Sequence, residues 1–184
     1  MMQEATIRRV AIIGAESTGK STLAAALAAH YGTLWVPEYL REFVETHKRT
    51  PQADEQFHIA ATQVIRETAA MQDARTWLFC DTTPLMTAVY SRYYFTNPDA
   101  ALAQLAAAHR YDFTIVAAPT NPWIGDGLMR DGDAVRQAVH QLVIDALQNA
   151  AIPYLLADGD VHQRVRQVAE YLSATAPTAV SPRT

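Results

Sequence analysis

The sequence has 184 residues, 49% of them hydrophobic and 18% charged, with a formal net charge of −4. That length suits one domain with a full core, and the charge balance leaves no basic footprint for duplex nucleic acid or an anionic membrane surface. The lone cysteine, Cys80, excludes an internal disulfide and suits a reducing cytoplasm; the start MMQEATIRRV lacks a signal-peptide core, and no apolar run reaches the ~18–20 residues of a membrane span.

A β-branched run at 10–13, ending on Gly14, predicts a buried first strand. Residues 21–30 predict a helix stopped by Gly32, 33–36 a second strand closed by Pro37, and 38–48 a second helix. A long mixed helix is expected over 51–75, with Phe57, Ile59, Val64 and Ile65 as core contacts. The third strand, 77–80, holds Cys80 as a core residue and ends at Asp81. Pro84 sits in the first turn of a helix reaching residue 95, Asn97-Pro98 breaks the chain, and 99–109 is again helical. A fourth strand at 113–117 is followed by a Pro- and Gly-rich loop over 119–132, a helix at 133–148, a fifth strand at 153–156 and a last helix at 160–172. The tail, 173–184, is expected to be disordered, which makes 1–172 the domain. Short apolar strands alternating with helices predict a three-layer α/β/α sandwich around a five-stranded parallel sheet.

Gly14-Ala15-Glu16-Ser17-Thr18-Gly19-Lys20-Ser21 matches G-x-x-x-x-G-K-[ST] in full, between a strand and a helix as that motif requires. Its glycines bring backbone N–H groups to phosphate oxygens, Lys20 reaches the β- and γ-phosphates, and the Ser21 hydroxyl binds Mg²⁺. The helix N-terminus adds a positive dipole end. ATP contacts are expected from Gly14, Glu16, Ser17, Thr18, Gly19, Lys20, Ser21 and Thr22. Asp81, at the end of the third strand, is placed either to hold Mg²⁺ through water or to cap the helix at Pro84.

No guanine-reading N-K-x-D or T-K-x-D segment follows the fourth strand, which argues against a GTPase, and the short chain argues against a large mechanical ATPase. A small-molecule kinase is the economical reading. Such a kinase needs a group to orient the acceptor hydroxyl, and Glu38, directly after the second strand, either does this or supplies a favourable charge to a helix start. Tyr39 offers an aromatic face; Arg41 offers a cation or lies on a solvated helix face. The run Asn121-Pro122-Trp123-Ile124-Gly125-Asp126-Gly127-Leu128-Met129-Arg130 is a candidate lid. There Arg130 would close on the transferring phosphoryl group, with Arg136 as a second candidate, and Asp126 would bind substrate or pair with an arginine.

The P-loop, Pro37-Glu38-Tyr39-Leu40-Arg41-Glu42-Phe43, Phe79-Cys80-Asp81-Thr82, and Trp123-Ile124-Gly125-Asp126-Gly127-Leu128-Met129-Arg130 occur in that order. Together they resemble the nicotinamide riboside kinase (ribosylnicotinamide kinase) domain of NadR-type bacterial proteins, over nearly the whole chain. The resemblance implies a P-loop kinase fold and ATP-dependent phosphorylation of the ribose 5′-hydroxyl of nicotinamide riboside, giving nicotinamide mononucleotide for NAD synthesis. By position it implies that Lys20 and Ser21 hold ATP and Mg²⁺. Glu38, Tyr39, Arg41, Trp123 and Asp126 would meet the nucleoside, Lys20, Glu38, Asp81 and Arg130 would serve catalysis, and Asp160 and Arg164 would lie near adenine.

Two departures stand out. The third-strand motif reads Asp81-Thr82-Thr83 and lacks the second Asp of D-T-D, and Met129 displaces Arg130 by one residue. Only nine residues precede Val10, so neither the adenylyltransferase nor the DNA-binding domain of such proteins is expected in this sequence. The alternatives are a kinase for another nucleoside or small metabolite, or a non-catalytic ATP sensor. Homo-oligomerisation and the choice of Glu38 or Asp81 as proton acceptor are left open by the sequence.

Overall fold

In the computed structural model, residues 6–97, 99–123 and 132–175 are described. Among them are five strands, β1 (Arg8–Ile13), β2 (Leu34–Val36), β3 (Trp77–Asp81), β4 (Phe113–Ala117) and β5 (Leu155–Ala157). They form one parallel sheet in the order β2-β3-β1-β4-β5. The helices are α1 (Lys20–Tyr31), α2 (Tyr39–His47), α3 (Gln56–Ala70), α4 (Pro84–Tyr94), α5 (Ala100–Ala108), α6 (Asp133–Asn149) and α7 (Val161–Thr175).

Alternation along β1 divides the core between two faces. Val10 and Ile12 join Leu23 and Leu27 of α1, Phe79 of β3 and Val168 and Leu172 of α7. Ala11 and Ile13 join Met86 and Val89 of α4 and Val139, Val143 and Leu147 of α6. Leu78 and Cys80 of β3 pack with Val36 and Ala74. Helices cover both faces, so the central strands are apolar on both sides, as the expected three-layer α/β sandwich requires. Each buried Leu or Val side chain contributes ~1.5–3 kcal/mol.

The differences from the sequence reading are local. A 3₁₀ turn at Ala53–Glu55 leads into α3, which ends at Ala70 in successive turns through Asp73 rather than continuing to residue 75. Of the four expected core contacts on α3, Ile59 is buried, Val64 is half-buried, and Phe57 and Ile65 are exposed. The face turned inward carries Gln56, Ile59, Ala60, Gln63 and Glu67, and its polar members find partners inside the fold. β5 starts at Leu155, opposite Ile115, because 150–152 close the end of α6, with Ile152 N–H donating to the Leu147 carbonyl. α7 runs on to Thr175, and residues 176–184 lie outside the described residues. No helix among the described residues is long and apolar enough to cross a membrane.

Parallel strands place all their C-terminal ends on one edge of the sheet. β1 lies between β3 and β4, so connections leave its neighbourhood in opposite directions and open a crevice there. Gly14, Glu38 and Asn121 follow β1, β2 and β4 onto that edge, where Asp81 ends β3.

Candidate active site

The loop between β1 and α1 is shaped by positions where only particular residues fit. Gly14 has φ +147°, and a Cβ there would lie 2.9 Å from the Ala117 carbonyl oxygen. Gly19, φ +81°, precedes α1 in the left-handed region without a side-chain cap, so the first N–H groups of α1 are directed into the loop. Ser17 is left-handed as well, at φ +52°. Thr18 is fully buried and its hydroxyl donates to the Ala15 carbonyl at 2.8 Å; it braces the loop from inside. Lys20 Nζ donates to the same carbonyl at 2.8 Å, which folds the ammonium back over the loop.

The C-terminal end of β3 meets this loop. Ser21 Oγ donates to Asp81 Oδ2 at 2.5 Å, while Asp81 Oδ1 is buried and has no hydrogen-bond partner. Burial holds the Asp81 carboxyl above the usual carboxylate range, against the pull of Lys20, the Ser21 hydrogen bond and Arg41. The helix-cap alternative for Asp81 is resolved by Thr83: its hydroxyl accepts the Met86 N–H, and Pro84 follows at the first helical position. Thr83, where the resembled family has its second Asp, is thus the α4 N-cap. A buried, unpartnered carboxylate oxygen beside a serine hydroxyl fits a hard cation that keeps most of its water. Among the described residues no group of three or more His, Cys, Asp or Glu forms a metal cage.

A cavity of about 590 Å³ lies over the loop. Ser17, Thr18, Gly19, Lys20, Ser21 and Thr22 line it together with Glu38, Arg41, Asn121 and Pro122. Its size suits a drug-sized ligand. Glu38 is the extended N-cap residue of α2, and Arg41 follows within the first turn. Tyr90 of α4 belongs to the same region: burial, then the charges of Glu16 and Glu38, push its hydroxyl far above the usual tyrosine range and keep it a neutral donor.

Several expected site residues do different work. The Tyr39 ring does not line the cavity; it lies under the Arg66 guanidinium, 4.6 Å from cation to ring centroid, and edge-on to His58. Arg66 is held there by a paired contact with Glu42 at 2.7 and 2.9 Å. Asp160 and Arg164 are also absent from the cavity lining. Asp160 and Gln163 exchange backbone and side-chain bonds in a capping box that starts α7. Arg164 is 2% exposed and donates to the carbonyls of Thr18, Ala118 and Gly159 at 2.5, 3.0 and 2.9 Å. Its planar fork pins the P-loop to the ends of β4 and β5. Arg136, the second lid candidate, is likewise buried; it bonds the Asn121 carbonyl at 2.8 Å and pairs with Asp133. Trp123 is half-buried, with its indole Nε1 unpartnered among the described residues. Asp126 and Arg130 lie outside the described residues.

The sequence reading gave no role to Gln63 or Tyr90. The one visible signal was Gln63, a polar residue in phase with Ile59 and Ala60 on the inward face of α3.

A parallel sheet with a phosphate loop after its central strand, and a carboxylate ending the neighbouring strand, defines a P-loop nucleotide-binding fold. The family described as AAA domain matches residues 9–164, and the chain belongs to that family. It is similar to the trifunctional NAD biosynthesis/regulator protein NadR of Salmonella typhimurium, 30% identical over 154 residues, which are 81% of this chain and 38% of that protein. The chain therefore spans well under half the length of the curated relatives it matches. Among solved structures, a NadR protein in complex with NR superposes with a TM-score of 0.78 at 22% identity, covering 96% of this chain and 54% of the other. A NadR protein in complex with NAD and AMP-PNP gives 0.75 at 22% identity, covering 94% and 51%. Deoxyadenosine kinase from M. mycoides gives 0.64 at 15% identity, covering 90% and 99%. These structural likenesses concern the fold.

Proposed function

We propose that the chain is an ATP- and Mg²⁺-dependent kinase that phosphorylates the ribose 5′-hydroxyl of nicotinamide riboside. The carrying observation is one cavity lined by the phosphate loop together with Glu38 and Arg41, where the Ser21–Asp81 pair borders the loop. Similarity to NadR proteins, solved with NR and with AMP-PNP, supports the acceptor and the donor.

The chain's own groups supply positioning and charge. N–H groups of the P-loop and the start of α1 hold the β- and γ-phosphates, and Lys20 neutralises charge on the transferring group. Ser21 and Asp81 Oδ1 would hold the Mg²⁺, which would supply positive charge against the phosphates. Glu38 orients the 5′-hydroxyl and receives its proton as the oxygen bonds to the γ-phosphorus. The bond from that phosphorus to the β–γ bridging oxygen breaks, and ADP leaves. Arg41 offers positive charge on the acceptor side. Arg130 and Asp126 belong to the proposed lid.

A panel of nucleosides, with ADP release as readout, tests the reading. Nicotinamide riboside is expected to stimulate release most strongly; stimulation by a different nucleoside alone would move the acceptor. The deoxyadenosine kinase likeness makes purine deoxynucleosides the comparison to include.

A further inference from the structure

Gln63 is 2% exposed in the middle of α3, and both ends of its amide are used. Its Oε1 accepts the Tyr39 backbone N–H at 2.9 Å, and its Nε2 donates to the Asp81 carbonyl at 3.4 Å. Tyr39 N–H is among the first donors of α2, which have no partner within the helix, and the α2 N-cap Glu38 makes no side-chain capping bond. Gln63 therefore satisfies a helix terminus from another element. At its other end it holds the last carbonyl of β3, in the residue whose carboxylate meets Ser21. A hydrophobic residue would fill the same space without the cost of burying an amide, so the amide is retained for what it connects. It connects the two loops that carry Glu38 and Asp81.

We propose that Gln63 is a positioning residue for phosphoryl transfer: by tying the start of α2 to the end of β3, it sets the placement of the Glu38 carboxylate relative to Asp81 and the P-loop. The inference rests on the kinase reading of the site. It places part of the specificity for acceptor geometry in a residue outside the cavity lining. Misplacing a reacting pair by about 1 Å costs roughly 10²-fold in rate, so a small shift of α2 is enough to be read kinetically.

The experiment compares wild type, Gln63→Met and Gln63→Glu by steady-state kinetics, with nucleoside and ATP affinities measured separately by calorimetry. Gln63→Met keeps the side-chain length and loses both bonds. It is expected to lower kcat roughly tenfold or more and to raise the acceptor KM and Kd severalfold. ATP affinity should stay within about twofold, because the P-loop contacts are untouched. Gln63→Glu keeps an acceptor for Tyr39 N–H and loses the donor to Asp81, so acceptor affinity should recover while kcat stays low. A purely structural brace would instead lower thermal stability and leave kcat and KM of the folded enzyme at wild-type values in both variants; that result overturns the proposal. If Gln63→Met does not fold, the split between affinity and kcat in Gln63→Glu decides it. The wild-type rates separate the two claims. A wild type active on a nucleoside, with kinetically silent variants, removes Gln63 alone, whereas a wild type inactive on every nucleoside removes the kinase reading and the positioning role with it.

Discussion

Ser21 and Asp81, 60 residues apart in sequence, share a 2.5 Å hydrogen bond that leaves the second Asp81 oxygen buried and unpartnered. The pair joins the start of α1 to the end of β3. Burial keeps the Asp81 carboxyl above its ordinary range. A folded-state value raised above the unfolded one means that the charged form costs stability. The cost is absent below the unfolded value and complete once pH exceeds the folded one. Asp81→Asn is therefore expected to raise the Tm of the nucleotide-free protein at about pH 7 more than at about pH 4. The same variant should lower turnover by roughly 10²-fold or more and raise the Mg²⁺ concentration needed for half-maximal rate. Melting curves at the two pH values and a Mg²⁺ titration check both.

Lys20→Ala should abolish measurable turnover, a loss of at least ~10²-fold, by removing charge from the transferring phosphate. The backbone loop keeps its shape through Gly14, Thr18 and Arg164, so the protein should still fold. Single-turnover assays with circular dichroism as the folding control are the measurement.

Glu38→Gln should lower kcat by roughly 10²-fold while ATP affinity changes little, since Glu38 lies outside the phosphate loop at the start of α2. Wild-type turnover in this variant would remove Glu38 from the mechanism and leave Asp81 as the proton acceptor to test.

Arg164 gives a prediction opposite to that of an adenine contact. Its three carbonyl bonds hold the P-loop against the ends of β4 and β5. Arg164→Met should destabilise the protein by about 2–4 kcal/mol, because buried carbonyls lose their donor. Arg164→Lys should not restore stability, since an ammonium cannot serve the same fork. Urea melts read the stability, and an unchanged midpoint with weaker ATP binding would return Arg164 to the adenine side.

The P-loop and the order of strands and helices were legible because they depend on local pattern: a β-branched run, two glycines and a helix start within a few residues. Asp81 was legible as a position and ambiguous as a role; the structure gives the α4 cap to Thr83. The roles of Arg164, Arg136 and Gln63 were not legible, since each depends on carbonyls or N–H groups brought close by the sheet order. Phe57 and Ile65 misled for a related reason. The inward face of α3 is fixed by the partners of Gln63 and Glu67, and periodicity of apolar residues does not register a buried face that is polar. Tyr39 sits in the expected motif, but the nearby Arg66, paired with Glu42, draws its ring toward α3.

The central claim is transfer of the γ-phosphate of ATP to the 5′-oxygen of nicotinamide riboside. Incubation with γ-labelled ATP, Mg²⁺ and nicotinamide riboside, followed by mass spectrometry, tests it most directly. The account predicts label in nicotinamide mononucleotide in one-to-one ratio with ADP, and none with Lys20→Ala. ADP formed without labelled mononucleotide, or label appearing only on another nucleoside, would contradict it.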